Sequence, residues 1–115
     1  MTTHIVVMVT AHWDTVATSP GVDDNGSGVV ALMEIARILA NTAEQGPILN
    51  TVIFAALDKE EVGCEGAKAL VRDFVVPVLV KQIGAAVQVI LILDTFTSLL
   101  FATISRFILI CQRCD

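Results

Sequence analysis

Three apolar runs set the pattern of the chain, and each ends in polar residues. His4 to Ala11 is β-branched and apolar almost throughout, without the alternation of a half-exposed strand. Such a run predicts a strand covered on both faces. Leu49 to Leu57 reads the same way, and Ala85 to Leu93 is the third. Between the first two, Val29, Leu32, Met33, Ala36 and Leu39 recur at helical spacing, with Glu34, Arg37 and Asn41 on the other side. That predicts an amphipathic helix over Val29 to Ala40, packed through the first set. A second helix is expected from about Gly66 to Phe74, with Pro77 interrupting it or opening a new turn. Trp13 to Gly28 reads as loop, with Ser19-Pro20-Gly21 and Asn25-Gly26 as turn signals and Asn25 or Ser27 as a cap for the first helix.

Strand, helix, strand, helix, strand at these lengths implies right-handed crossovers. The expected fold class is α/β, three layers αβα around a largely parallel central sheet. After Asp94 the character changes. Thr95 to Gln112 carries one charge, Arg106, and shows neither an apolar stripe nor turn signals. The chain therefore divides into residues 1–94 and an apolar tail, 95–115.

Composition narrows the function classes. The chain has 115 residues, enough for one small domain, and its net charge is −5 without a basic cluster. That balance argues against a nucleic-acid partner. No apolar stretch is long enough to span a membrane, and a membrane partner is not expected. The apolar run after Met1 is too short for a secretory leader and no basic residue precedes it, so the compartment is left open. Three cysteines do not make a disulfide framework. Cys111 and Cys114 form a single C-x-x-C pair, and a structural zinc normally takes four ligands, so none is expected there.

The chemistry sits at the strand ends. His12 and Asp14 are two apart, and on extended backbone they point to the same side, so Asp14 can fix the His12 tautomer. A surface His beside a capping Asp would give the same pattern. Asp23 and Asp24 precede Asn25-Gly26-Ser27-Gly28 and suit either helix capping or a carboxylate bridging two metal ions. Glu60 and Glu61 end the second run, either as a solvated charge pair or as one metal ligand and one base. Asp94 ends the most apolar run, where a lone carboxylate is costly unless paired or coordinated. In open α/β sheets, ligands bind outside the carboxyl ends of the strands, which is where all four stretches fall.

Together these stretches resemble the co-catalytic zinc exopeptidases, the family of bacterial leucyl aminopeptidases and plasma glutamate carboxypeptidase. The resemblance rests on Ala11-His12-Trp13-Asp14-Thr15-Val16, Ser19 through Gly28, Thr51-Val52-Ile53-Phe54, and Glu60-Glu61-Val62-Gly63 with Gly66. It covers about residues 4–94. It implies a zinc-exopeptidase (phosphorylase/hydrolase-like) fold and a peptide substrate hydrolysed by water activated at two zinc ions. By resemblance, His12 is the first metal ligand and Asp14 its orienter. Asp24 bridges the two ions, Glu60 is the general base, Glu61 ligates the second ion and Asp94 completes the first.

The family uses one more His, far downstream of the Asp94 position, whereas this chain holds only His4 and His12. His4 would lie about 26 Å from His12 on an extended strand, at roughly 3.3 Å per residue. The family's sheet also has further strands. The chain is therefore expected to be the first half of such a domain, with one complete three-ligand zinc site, weak or no activity as given, and self-association through exposed sheet edges. The alternative reading is a non-catalytic metal-binding or interaction fragment of the same fold.

Overall fold

The first run forms β1, Ile5–His12, and it is the middle of everything. In the computed structural model, which describes residues 5–94 and 99–103, β1 is followed by a short helical turn, Val22–Ser27. Helix α1, Gly28–Gln45, comes next. Then come β2, Thr51–Leu57, and α2, Glu65–Leu70. A wider π-helical stretch, Val71–Gln82, continues α2 and leads to β3, Ala86–Leu93. A last strand, β4, spans Leu99–Thr103.

The sheet order is β2-β1-β3-β4. β1 pairs in parallel with β2 on one edge and with β3 on the other, and β4 runs antiparallel to β3. The chain thus winds one way from β1 to β2 and returns across β1 to reach β3. This reversal puts the carboxyl end of β1 at the switch point of the sheet.

Two cores lie on opposite faces. Val6 and Met8 of β1 pack with Val75, Leu79 and Ala85 of the second crossover. Val9 and Ala11 pack with Leu32 of α1, with Val52 and Phe54 alongside. Alternate β1 residues therefore feed opposite layers, which gives the three-layer αβα arrangement and explains the unbroken apolar run. No helix among the described residues is long and apolar enough to cross a membrane.

Four details differ from the sequence reading. The β1 ladder includes His12, one residue beyond the run expected to end at Ala11, so this residue is held by the strand. Leu49, expected to begin the second strand, is exposed and precedes the paired segment. The second helical stretch does not stop near Phe74. It passes through Pro77 to Gln82, where the wider winding accommodates a residue that cannot supply the i→i−4 bond. On the predicted face of α1, Leu32 is buried, at 6% exposure, and Val29, Ala36 and Leu39 are half-buried, but Met33 is 66% exposed. Gly28 is buried at the start of the helix, where a side chain would collide with the Asn25 amide, and Leu32 lies one turn on. His4, Cys111 and Cys114 lie outside the described residues.

Leu32→Ala should lower unfolding stability by about 2–5 kcal/mol, as for other buried Leu truncations. Met33→Ala should change it by less than about 0.5 kcal/mol. Urea titrations of the two variants check the orientation of α1, and equal losses would contradict it.

Candidate metal centre

The register of the sheet assembles the site. His12 stands opposite Leu57 of β2. Ala11 stands opposite Leu93 of β3, so Asp94 follows at the level of His12. The ladder extends one residue further through the Trp13 N–H, which donates to the Leu57 carbonyl at 2.9 Å. Polar residues thus leave all three strands at one edge.

Beyond β2 the chain folds into a tight turn that carries Glu60 and Glu61. The N–H groups of Cys64 and Gly66 donate to the carbonyls of Glu60 and Asp58, at 2.9 and 3.0 Å. A side chain at Gly66 would strike the Asp58 backbone, so only glycine fits where the resemblance picked it out. Before α1, the side chain of Asn25 is 1% exposed and its Oδ1 accepts the Gly28 N–H at 3.0 Å. Asn25 therefore makes the capping bond, and Ser27 instead donates its hydroxyl to the Asp23 carbonyl at 2.7 Å. This loop leaves Asp23 exposed and turns Asp24 toward His12.

His12 is the hub. Its Nδ1 lies 3.1 Å from the Asp14 main-chain carbonyl. A carbonyl only accepts, so Nδ1 carries a proton toward it, and Nε2 is the nitrogen left for another partner. Nε2 lies 3.2 Å from Asp24 Oδ1, 3.6 Å from Asp94 Oδ1 and 4.0 Å from Glu60 Oε2. It is buried and makes no hydrogen bond. A buried polar atom left without a partner costs about 1–3 kcal/mol. Here it also faces carboxylate oxygens of Asp24, Asp94 and Glu60. A cation among these atoms would give Nε2 a partner and balance the carboxylates. Donor atoms of His12, Asp24 and Asp94 lie within 4.8 Å of one another, as do those of His12, Glu60 and Glu61. One imidazole with carboxylates is a donor set that zinc accepts, so the residues present fit the ion.

The structure thus brings His12, Asp24, Asp94, Glu60 and Glu61 together, with Asp14 beside them. Sequence reasoning missed one feature. The Asp14 carboxylate accepts the N–H of Glu60 on Oδ1 at 3.1 Å and that of Glu61 on Oδ2 at 3.2 Å. Burial pushes its carboxyl up, but the N–H groups of Glu60, Glu61 and Asp14 itself, with the His12 ring, outweigh burial and hold it below the ordinary range. No local pattern announces a bond across more than forty residues of sequence.

One His and several carboxylates gathered at the strand ends of a parallel sheet form a group that could hold a metal ion, where such sheets bind ligands. The sequence model of Peptidase family M28 matches residues 2–104, and the chain belongs to that family. Aminopeptidase YwaD of Bacillus subtilis is 42% identical over 62 residues, which are 54% of this chain and 13% of YwaD. A probable lipoprotein aminopeptidase, LpqL of Mycobacterium tuberculosis, is 43% identical over 68 residues, 59% of this chain and 13% of LpqL. Leucine aminopeptidase 1 of Metarhizium robertsii is 32% identical over 80 residues, 63% of this chain and 20% of the relative. The chain thus spans a fifth or less of the length of these relatives. No solved structure gives a significant match. The family is zinc-dependent, in keeping with the donor set at His12.

Asn25→Ala removes the bond that starts α1 behind Asp24. It should cost about 0.5–2 kcal/mol, the range for lost N-terminal caps. Urea unfolding checks the loss, and an unchanged midpoint would contradict the capping role.

Proposed function

We propose that this site is that of a zinc-dependent exopeptidase of the aminopeptidase type, built to hold two zinc ions. The observation that carries the reading is the buried, unbonded Nε2 of His12 facing Asp24 and Asp94. His12, Asp24 and Asp94 would hold one ion, and Asp24 with Glu61 the other. When bound, such a pair polarises a peptide carbonyl and makes water a nucleophile at neutral pH. Glu60 takes the proton from the attacking water and passes it to the departing amine. Glu60 Oε2 lies 4.0 Å from His12 Nε2, which supports the reading of Glu60 as the proton carrier. The Asp14 carbonyl keeps His12 in the tautomer that presents Nε2.

The two halves of the site are unequal. The first has three ligands of its own, whereas the second has two carboxylates, since the chain holds only His4 and His12. Isothermal titration should therefore find about one tightly held zinc, by the three-ligand rule for open sites. His12→Ala or Asp94→Ala should abolish it, and Glu61→Ala should matter much less. Two tight sites, or one that survives His12→Ala, would sink the assignment. Turnover of aminoacyl anilides by this chain should be slight. Glu60→Gln should remove what turnover there is while leaving the zinc titration unchanged, and loss of zinc in that variant would move Glu60 from base to ligand.

A further inference from the structure

We propose that Asn25 is the positioning residue of Asp24: its buried carboxamide, lodged where Gly28 has no side chain, aims the neighbouring carboxylate at His12. The proposal rests on the reading of Asp24 as a metal ligand under the proposed function.

Asp24 does not take its direction from a helix. The backbone at Asp24 (φ −107°, ψ 93°) and at Asn25 (φ −130°, ψ 40°) is non-helical, although α1 begins at Gly28. The two side chains diverge. That of Asn25 is buried, whereas that of Asp24 is 32% exposed and comes within 3.2 Å of His12 Nε2. The neighbours on both sides of Asp24 are anchored to the start of α1. The Ser27 hydroxyl donates to the Asp23 carbonyl at 2.7 Å, and the Gly28 N–H donates to Asn25 Oδ1 at 3.0 Å. The Gly26 N–H, bonded to the Gly21 carbonyl at 2.8 Å, closes the loop around them. Peptide units are planar and leave two soft dihedrals per residue. With the residue on each side held, those of Asp24 have little freedom, and its side chain leaves the loop toward His12.

Gly28 is the other half of the device. A side chain there would fall on the Asn25 carboxamide itself. The carboxamide thus fills the room a side chain would take, and its seat exists only while position 28 is bare. Capping alone asks for less, since Ser and Asp cap a helix about as well as Asn. Asn25 is packed as well as bonded, at 1% exposure. Unseating it frees position 25 and, one peptide unit away, the carboxylate of Asp24.

The test compares Asn25→Ala, Gly28→Ala and Leu79→Ala in the full chain. Gly28→Ala keeps Asn25 but takes its seat, and helix propensity alone would favour it. Leu79→Ala is the control for lost stability, in the core that does not contain α1. In the zinc-free parent, labelled with nitrogen-15 and carbon-13, three-bond couplings to Asp24 Cγ should report one χ1 rotamer. They should report a mixture in Asn25→Ala and Gly28→Ala, and the parent rotamer in Leu79→Ala. Zinc affinity should fall at least about tenfold in the two loop variants, the range for losing a group that orients a ligand, and stay within about threefold in Leu79→Ala. Rotamer averaging in the parent, parent behaviour in Gly28→Ala, or equal losses of affinity in all variants would each overturn the proposal. If neither loop variant folds, the parent couplings decide: one Asp24 rotamer supports positioning and a mixture rejects it. A parent with one Asp24 rotamer that binds no zinc would support the positioning and count against the proposed function.

Discussion

Because β1 is paired on both edges and covered on both faces, it has no surface of its own. Val6 and Met8 are committed to one layer, Val9 and Ala11 to the other, and the ladder with β2 runs to His12 while that with β3 runs to Ala11. The only way out for a polar side chain is the carboxyl end. His12 sits at that end inside the ladder, so its position is fixed by main-chain bonds on a buried strand. Asp94 follows from the register with β3, and the Glu60–Glu61 turn from the register with β2. The site is therefore a consequence of strand alignment, with the short segments after each strand supplying the carboxylates.

Electrostatics then separates the carboxylates by task. Asp14 is bonded to N–H groups and sits beside the Nδ1 face of His12, which keeps it ionised below the usual carboxylate range. Its bonds contribute stability above the ordinary carboxylate pKa, and that contribution is lost as pH falls through the lowered one. Asp24, Asp94 and Glu60 sit around the other nitrogen of the ring, which is buried and makes no hydrogen bond. One face of the imidazole is thus satisfied by the protein, and the opposite face is left for a positive charge.

The layers, the strand ends and the residue types at them were legible in the sequence, because an unalternating apolar run has few ways to be buried and polar residues must emerge where it stops. Asn25 was legible as a cap. What was not legible depends on contacts between distant segments. The exposure of Met33 beside the buried Leu32 is not contained in the periodicity of Val29, Leu32 and Met33. The passage of the second helix through Pro77 depends on Val75 and Leu79 filling the core beneath β1. The pair of bonds between Asp14 and the turn after β2 exists only once the two strands are aligned. Residue spacing tied Asp14 to His12 and was silent on Glu60 and Glu61.

The claim on which the account turns is that the His12 pocket holds a divalent cation through one imidazole and carboxylate oxygens. X-ray absorption at the zinc edge of the zinc-loaded chain tests it most directly. The account predicts a first shell of nitrogen and oxygen at about 2.0–2.2 Å with the scattering of a single imidazole, lost in His12→Ala. Sulfur ligands at about 2.3 Å, or a nitrogen and oxygen shell without imidazole, would contradict it.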